Sequence, residues 1–301
     1  MIIEVPFNDG NHDCKKENCL ELGENHVFCL YRGGKLSCEL FENGIELIKD
    51  IPENIKLNGK QEIQRDCEIK NEVYIDKEKI SEFIKSLKSP LYYLDFETFS
   101  TAMPMFDGLK PYSQVPFQFS LHVAKEENKE PEHYEFLYNG DSDPRKEFIA
   151  SLNKVLGDKG TIIVYNQSFE INRLKELGEN FPEYKEWIED IPKRTKDLLM
   201  LFREFSYYNT LQQGSASIKK VLPALTGKSY KGMEISDGGT ASVEFFNIAY
   251  KKCSEEQRKK VRKNLLKYCG LDTEAEIMII EKLNELVNHS IKNKNKNRPI
   301  L

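Results

Sequence analysis

Residues 92–100 read YYLDFETFS, an apolar run that carries two carboxylates, Asp95 and Glu97, separated by one phenylalanine. Residues i and i+2 of a β-strand point to the same side of a sheet, so a strand here stands the two acids side by side. Like charges at that spacing repel unless something neutralises them, and a bound cation does so. The alternative is a strand that ends at Leu94 and leaves both acids in a solvated loop. Three further positions bear on the choice. In YNQSFEINRL, Glu170 falls one turn into a helix that follows a strand, where an acid can also simply stabilise the helix start. In KYCGLDTEAE, Tyr268 and Asp272 are spaced i,i+4 and share a helix face, as a site pair or as a surface pair. Asp197, in TKDLLMLF, sits in an apolar run where a lone carboxylate is costly; a structural role is expected, fixing a neighbouring backbone or lysine.

The elements that must position these residues follow from pattern. Residues 75–87 place Ile80, Phe83, Ile84 and Leu87 at helical spacing, and Ser89-Pro90 stops that helix just before the acid-bearing strand. Residues 44–52 read as a short strand and turn. After a connection rich in proline and glycine, 117–124 and 133–138 read as further strands of an antiparallel meander. Asp143-Pro144 opens a helix through Leu156. Residues 161–165 form a β-branched strand, and Ser168 is placed to cap a helix over 169–177. The rest reads as helical, over 183–190, 196–204, 217–222, 240–252 and 254–287. Ser254 and Gln257 form a capping box there, and Gly270 either breaks the last helix or is carried within it. Strands and helices alternating this closely predict an α/β fold with a mixed sheet flanked by helices. The polar, basic end, 289–301, is expected to fray.

A chain of 301 residues suits one large domain or two small ones, and 39% hydrophobic content allows a sizeable core. The net charge of −5 argues against a surface basic all over, of the kind that binds nucleic acid non-specifically; a local basic channel, bordered for instance by Lys219 and Lys220, is compatible with it. No run of 18 apolar residues is present to span a membrane, and the start lacks the pattern of a signal peptide, so a cytoplasmic setting is expected. Seven cysteines, five of them in the first 67 residues, fit reduced thiols better than a disulfide framework. His12 and His26 lie among them, but no C-x2-C pair exists, and free cysteines are expected rather than zinc or an iron–sulfur cluster. His122 and His133 are read as strand residues rather than ligands.

Asp-x-Glu on a strand, an Asn-x-x-Phe-acid helix start at 166–170 and a closing Tyr-x-x-x-Asp at 268–272 resemble the DEDD superfamily of 3′–5′ exonucleases. A closer resemblance is to an uncharacterised bacterial family, DUF2779. Its exonuclease-like half carries Leu-Asp-Phe-Glu-Thr, Pro-Phe-Gln-Phe-Ser and Ser-x-Lys-x-Val-Leu-Pro, here at 94–98, 116–120 and 217–223. The resemblance implies a cysteine-containing appendage over 1–90, a ribonuclease-H-like domain over 91–288 and a basic tail. It implies a metal-dependent exonuclease of the tyrosine branch, cutting phosphodiester bonds at single-stranded DNA or RNA 3′ ends. Two ions about 3.5–4 Å apart would be held by Asp95, Glu97, Glu170 and Asp272, with Asp95 shared between them. Tyr268 would orient the attacking water. Four carboxylates without histidine suit Mg2+ or Mn2+ better than zinc.

The second-motif acid of the superfamily is usually Asp, and this chain has Glu170. That departure and the acidic charge keep open an alternative, a catalytically silent nucleic-acid-binding or assembly module that retains the fold. Many members resemble fusions with an upstream Cas4-like nuclease domain, absent here, so that such a domain or a partner subunit is an expected companion. His12, Cys14 and Cys19 resemble the trailing edge of its cysteine cluster. Phe96, Phe99 and Phe106 are candidates to stack terminal bases, or else core residues.

Overall fold

The computed structural model describes residues 22–126 and 129–296. They form two compact units, one from 77–200 together with 226 onward, the other from residues up to 76 together with 201–225. This division departs from the contiguous segments 1–90 and 91–288. The helix before the first motif joins the sheet unit, and 201–225 belong with the N-terminal part.

The first-described unit is built on five strands: β1 (Leu91–Phe99), β2 (Val115–Ala124), β3 (Glu132–Leu137), β4 (Thr161–Val164) and β5 (Thr195–Asp197). Their order across the sheet is β3-β2-β1-β4-β5. β1–β2 and β2–β3 pair antiparallel, whereas β1–β4 and β4–β5 pair parallel. The helices are α1 (Lys77–Lys85), α2 (Arg145–Val155), α3 (Gln167–Asn180), α4 (Lys185–Arg194), α5 (Gly238–Tyr250) and α6 (Glu255–Lys296). The result is the expected mixed sheet flanked by helices.

Central position explains why β1 is buried almost throughout, and its alternation gives each face a different job. Tyr92, Leu94 and Phe96 join Phe119, Leu121, Ile162 and Val164 in a core closed by α2, α3 and α4. Phe96 and Phe119 meet the Phe148 ring edge-on, at centroid separations of 5.0 and 5.6 Å. Each fully buried aromatic or aliphatic side chain contributes about 1.5–3 kcal/mol. Tyr93, Asp95, Glu97 and Phe99 therefore face the other way, toward α5 and α6. A bulge adds Phe117 to β2 opposite Glu97/Thr98. It lets Phe117 stack on Phe245 of α5 at 3.8 Å while Gln118 reaches α6. Phe96 and Phe99 are 3% and 1% exposed, so both are core residues and neither can stack a base; Phe106 is half-buried, near Tyr250.

Several expected elements are redrawn. Residues 195–197 form β5, at the edge of the sheet, where a helix over 196–204 was expected; only Leu199–Arg203 is helical. α3 begins at Gln167 behind Asn166, so Ser168 lies inside it, its hydroxyl donating to the Asn166 side chain at 2.7 Å. α6 is one continuous helix through Gly270 and on to Lys296, past the expected tail boundary. An interior glycine costs a helix about 1 kcal/mol relative to alanine, which the packing of the remaining stripe offsets.

In the other unit, helices Gly34–Glu42 and Gly59–Lys70 enclose a small core of Val27, Leu30, Leu40, Ile48 and Ile51. Residues 44–52 are not a strand: Leu47 makes one isolated bridge to His26, and Ile48–Asp50 is a 3-10 turn. Tyr74–Ile75 pairs antiparallel with Tyr207–Tyr208, and Tyr208 packs with Cys67 and Phe205, which is what draws 201–225 into this unit. Lys219 and Lys220 lie in its helix Ile218–Thr226, and Lys220 donates to Gln213 at 2.8 Å. Among the described residues, Cys29, Cys38, Cys67, Cys253 and Cys269 form no disulfide. His12, Cys14 and Cys19 lie outside the described residues.

Candidate metal centre

The strand does not end at Leu94. β1 pairs with β2 along its whole length, which carries Asp95 and Glu97 into the sheet opposite Ser120 and Gln118, while β4 pairs with β1 over Leu91–Tyr93. Asp272, from α6, meets them there. One carboxylate oxygen each from Asp95, Glu97 and Asp272 lies within 4.8 Å of the others. Glu97 and Asp272 are buried and Asp95 is half-buried. At that range each pair of charges repels by about 3.5 kcal/mol at an effective dielectric constant of about 20, and by about 1 kcal/mol in bulk water. Three acids in one place thus call for a counter-charge, and an all-oxygen donor set suits a hard divalent cation.

Asp272 is held in place by a polar seam between β2 and α6. Alternate residues of β2 reach the helix: Gln118 donates to the Leu265 carbonyl at 2.9 Å, and Ser120 and His122 bond the Thr273 hydroxyl at 2.7 and 2.8 Å. Thr273 donates its own proton to the Gly270 carbonyl, so it accepts from both Ser120 and His122. Ser120 then accepts from His133, whose ring stacks on His122 at 4.1 Å. Burial, and secondarily the nearness of His133, pushes His122 down to about 4, so it is neutral near pH 7. Both histidines are strand residues of this seam.

Tyr268 lies one turn before Asp272 and is buried. Burial first, then Asp272, Glu97 and Asp95, holds its phenol far above the usual range, so it keeps its proton. Its ring meets that of Tyr230 at 6.2 Å. Tyr230 donates a 2.6 Å hydrogen bond to Asp272 Oδ1. Its own phenol is raised by burial and then by Asp272. Glu97 lies at the start of α5, where a Cβ on Gly238 would come within 3.5 Å of Glu97 Oε2. Asp237 caps that helix by accepting from the Thr240 amide at 2.8 Å, and its positive end offsets part of the Glu97 charge.

Glu170 is not one of the three acids within 4.8 Å of one another. It sits in the first turn of α3, 3% exposed, with Oε2 lacking a hydrogen-bond partner. Burial and then the Asp95 charge raise its pKa well above the ordinary carboxylate range. Asp197 has the structural role expected of it. Its Oδ1 accepts from the Asn166 and Leu199 amides at 3.1 and 3.0 Å, pinning the β4–α3 turn where Asn166 takes φ 97°. Asp197 thereby fixes the helix that carries Glu170.

Three residues at the site escaped the sequence reading. Cys269, fully buried, points its Sγ at Asp95 Oδ2 from 3.5 Å; burial and then Asp95 hold the thiol well above its usual pKa, so it stays protonated. Glu276 lies one turn beyond Asp272, 1% exposed, with neither oxygen hydrogen-bonded. Burial raises its pKa most, followed by the charges of Asp95, Glu170 and Asp272. The i,i+4 step from Asp272 to Glu276 was readable in the sequence; Tyr230, in a loop about forty residues away, left no local signal.

Residues 92–217 match a family described as a domain of unknown function, DUF2779. The match spans Asp95, Glu97, Glu170 and Asp197 and stops before Tyr268 and Asp272. The uncharacterized protein MG366 of Mycoplasma genitalium and its homolog in Mycoplasma pneumoniae are each 30% identical to this chain, over 220 and 216 residues. Those alignments cover 67% and 65% of this chain but 33% and 32% of the relatives. The uncharacterized protein UU173 of Ureaplasma parvum is 26% identical over 243 residues, 73% of this chain and 35% of its own length. The chain thus spans about a third of the length of these curated relatives. Together the matches support a relationship to an uncharacterised family. No solved structure matches. Among the described residues no helix is long and apolar enough to cross a membrane.

Proposed function

We propose that the sheet unit is a metal-dependent 3′–5′ exonuclease of the DEDD kind, acting on single-stranded DNA or RNA ends. The observation that carries this reading is the convergence of Asp95, Glu97 and Asp272 within 4.8 Å from segments about 175 residues apart. The sheet order β3-β2-β1-β4-β5, with three antiparallel strands and two parallel ones, supports a ribonuclease-H-like description.

The donor set fits Mg2+ or Mn2+: every candidate ligand is a carboxylate, and buried oxygens of Glu170 and Glu276 await a partner. Asp95, Glu97, Glu170 and Asp272 are the residues that would hold the ions. Bound cations supply the charge that lowers the pKa of a water and stabilises the leaving 3′ oxygen. The chain supplies orientation. Tyr230 fixes the Asp272 carboxylate, and Cys269 and the β2–α6 seam fix Asp95 and the helix over it. Tyr268, kept protonated, is a hydrogen-bond donor that positions the attacking water rather than a base that removes its proton. Because Phe96 and Phe99 are core, base stacking falls to an exposed aromatic residue of the β1–β2 connection, Tyr112.

The test is hydrolysis of 3′- and 5′-labelled single strands, duplexes and short oligomers with Mg2+ or Mn2+. Release of 3′-terminal nucleotides from single strands is expected; no cleavage of any of them by folded, ion-loaded protein refutes the reading. The second reading, a silent binding or assembly module, draws on Glu170 standing outside the close triad. It predicts nucleic-acid binding without turnover in the same panel.

A further inference from the structure

Residues 258–267, RKKVRKNLLK, carry six cations and no acid. They lie in the first turns of α6, directly before Tyr268. The positive end of a helix disfavours cations, so the stability of α6 does not call for them. Arg262 turns to the sheet, donating to the carbonyls of Tyr138 and Leu137. Lys260, Lys263, Asn264 and Lys267 are spaced i, i+3, i+4 and i+7, which sets them along one side of the helix. That side meets the loop 227–237, where Glu234 pairs with Lys260 and accepts from Asn264, both at 3.0 Å. The same loop sends Tyr230 to Asp272 at 2.6 Å. It therefore runs beside α6 from the acids back to Lys260, and it carries Lys228 and Lys231 on either side of Tyr230 in sequence. Lys228, Lys231, Lys263 and Lys267 are exposed and make no ion pair among the described residues. Seven residues after Lys267 the row continues with an acid, Glu274, so the basic strip ends at the carboxylates.

We propose that Lys263 and Lys267 of α6, with Lys228 and Lys231 of the adjoining loop, form a track for the sugar–phosphate backbone of a single nucleic-acid strand that ends at Asp95, Glu97 and Asp272. This rests on the nuclease reading for what happens at the end of the track, and it adds the surface that holds the rest of the strand. A polyanion is repelled by clustered carboxylates and by a chain of net charge −5. Cations beside the site offset that repulsion and steer the strand toward it. Along the helix axis Lys267 and Lys263 stand about 7.5 and 13.5 Å before Asp272, a spacing that successive phosphates of a stretched strand can match. One file of cations suits one backbone, whereas a duplex presents two. The basic surface compatible with the acidic net charge is thus present within the sheet unit itself, while Lys219 and Lys220 belong to the other unit.

The test measures binding and needs no activity. The full chain is titrated in EDTA against 5′-fluorescein oligo-dT and oligo-U of about 20 nucleotides, followed by anisotropy, at salt from about 50 to about 200 mM. Wild type is compared with the double variants K263A/K267A and K228A/K231A, and with K154A/K159A as a control from α2 and the turn before β4. Each of the first two is expected to weaken binding at least fivefold and to flatten the dependence of log Kd on log salt by about 0.7 per lysine removed. The control changes less than twofold, and all melt at the wild-type temperature because the side chains are exposed. Wild-type affinity and salt slope in both variants, or no binding by wild type, overturn the proposal. Competition by poly-glutamate as strong as by the oligonucleotide also overturns it, and makes the strip a surface for an acidic protein. Hydrolysis of the same strands with Mn2+ separates the two readings. Cleavage by wild type, with Kd and KM unchanged in both variants, sinks the track alone. Weakened binding in the variants, without cleavage by wild type, sinks the nuclease reading and leaves the track standing.

Discussion

Replacing Asp95 by Asn removes one charge from the centre of the cluster while keeping its volume and an oxygen able to accept from Cys269. Partner oxygens on Glu97 and Asp272 lie within 4.8 Å. Each pair then contributes between about 1 and about 3.5 kcal/mol of repulsion, depending on whether the local dielectric resembles water or a protein surface. Asp95 is half-buried, which screens it and favours the lower part of that range. Without cations, D95N is expected to be more stable than wild type by about 1–3 kcal/mol. For a unit of this size that is a rise in Tm of about 3–10 °C. The assay is thermal melting in EDTA at pH 7.5, repeated with millimolar Mn2+. The order is expected to reverse with the ion, because wild type gains stability from binding and D95N gains little. Hydrolysis should be abolished under every metal condition. A D95N protein that melts below wild type in EDTA would show that Asp95 is held by favourable bonds rather than crowded by like charge, and full activity would place the reaction elsewhere.

Y268F should lower single-turnover hydrolysis of a labelled 3′ end by about ten- to a thousand-fold, the size of a positioning effect, with Mn2+ affinity unchanged; a large loss of affinity would make the tyrosine a ligand instead. Y230F deletes the 2.6 Å bond to Asp272 and should cost about 1.5–3 kcal/mol in urea melts, the range for a hydrogen bond to a charged group; unchanged stability would mean that Asp272 does not depend on that bond. The pH dependence without metal follows from Glu170 and Glu276, whose folded pKa values are raised above the ordinary 4.5. The folded state then holds protons that the unfolded chain releases, so their contribution is complete below pH 4.5 and is lost as pH rises toward the folded values. His122, lowered to about 4 from 6.5, acts oppositely, adding stability as pH rises between those values. Comparing wild type with E276Q in EDTA from pH 4.5 to 8 cancels His122. The wild-type advantage should shrink and invert with rising pH, and a constant difference would contradict the assignment.

What the sequence determined by itself was local. Period-two spacing put Asp95 and Glu97 on one side of a strand, and period 3.6 put Tyr268 and Asp272 on one side of a helix, because backbone geometry alone sets both repeats. The meander and the strand–helix unit carrying Glu170 were legible for the same reason. Pairing and register were decided only by the tertiary structure. A three-residue strand at 195–197 has too few residues to show alternation, and it exists because β4 offers it an edge. Residues 44–52 have strand-like composition, but they form only an isolated β-bridge, Leu47 to His26. Phe96 lies between the acids in sequence and Phe99 two residues after them, yet the sheet directs the two rings into cores on opposite faces. Most of all, Glu276 is an ordinary helix acid until the polar seam of Gln118, Ser120 and His122 seats α6 on the sheet. That register buries Glu276, one turn beyond Asp272, while Glu274 between them stays exposed, and no property of the helix alone specifies it.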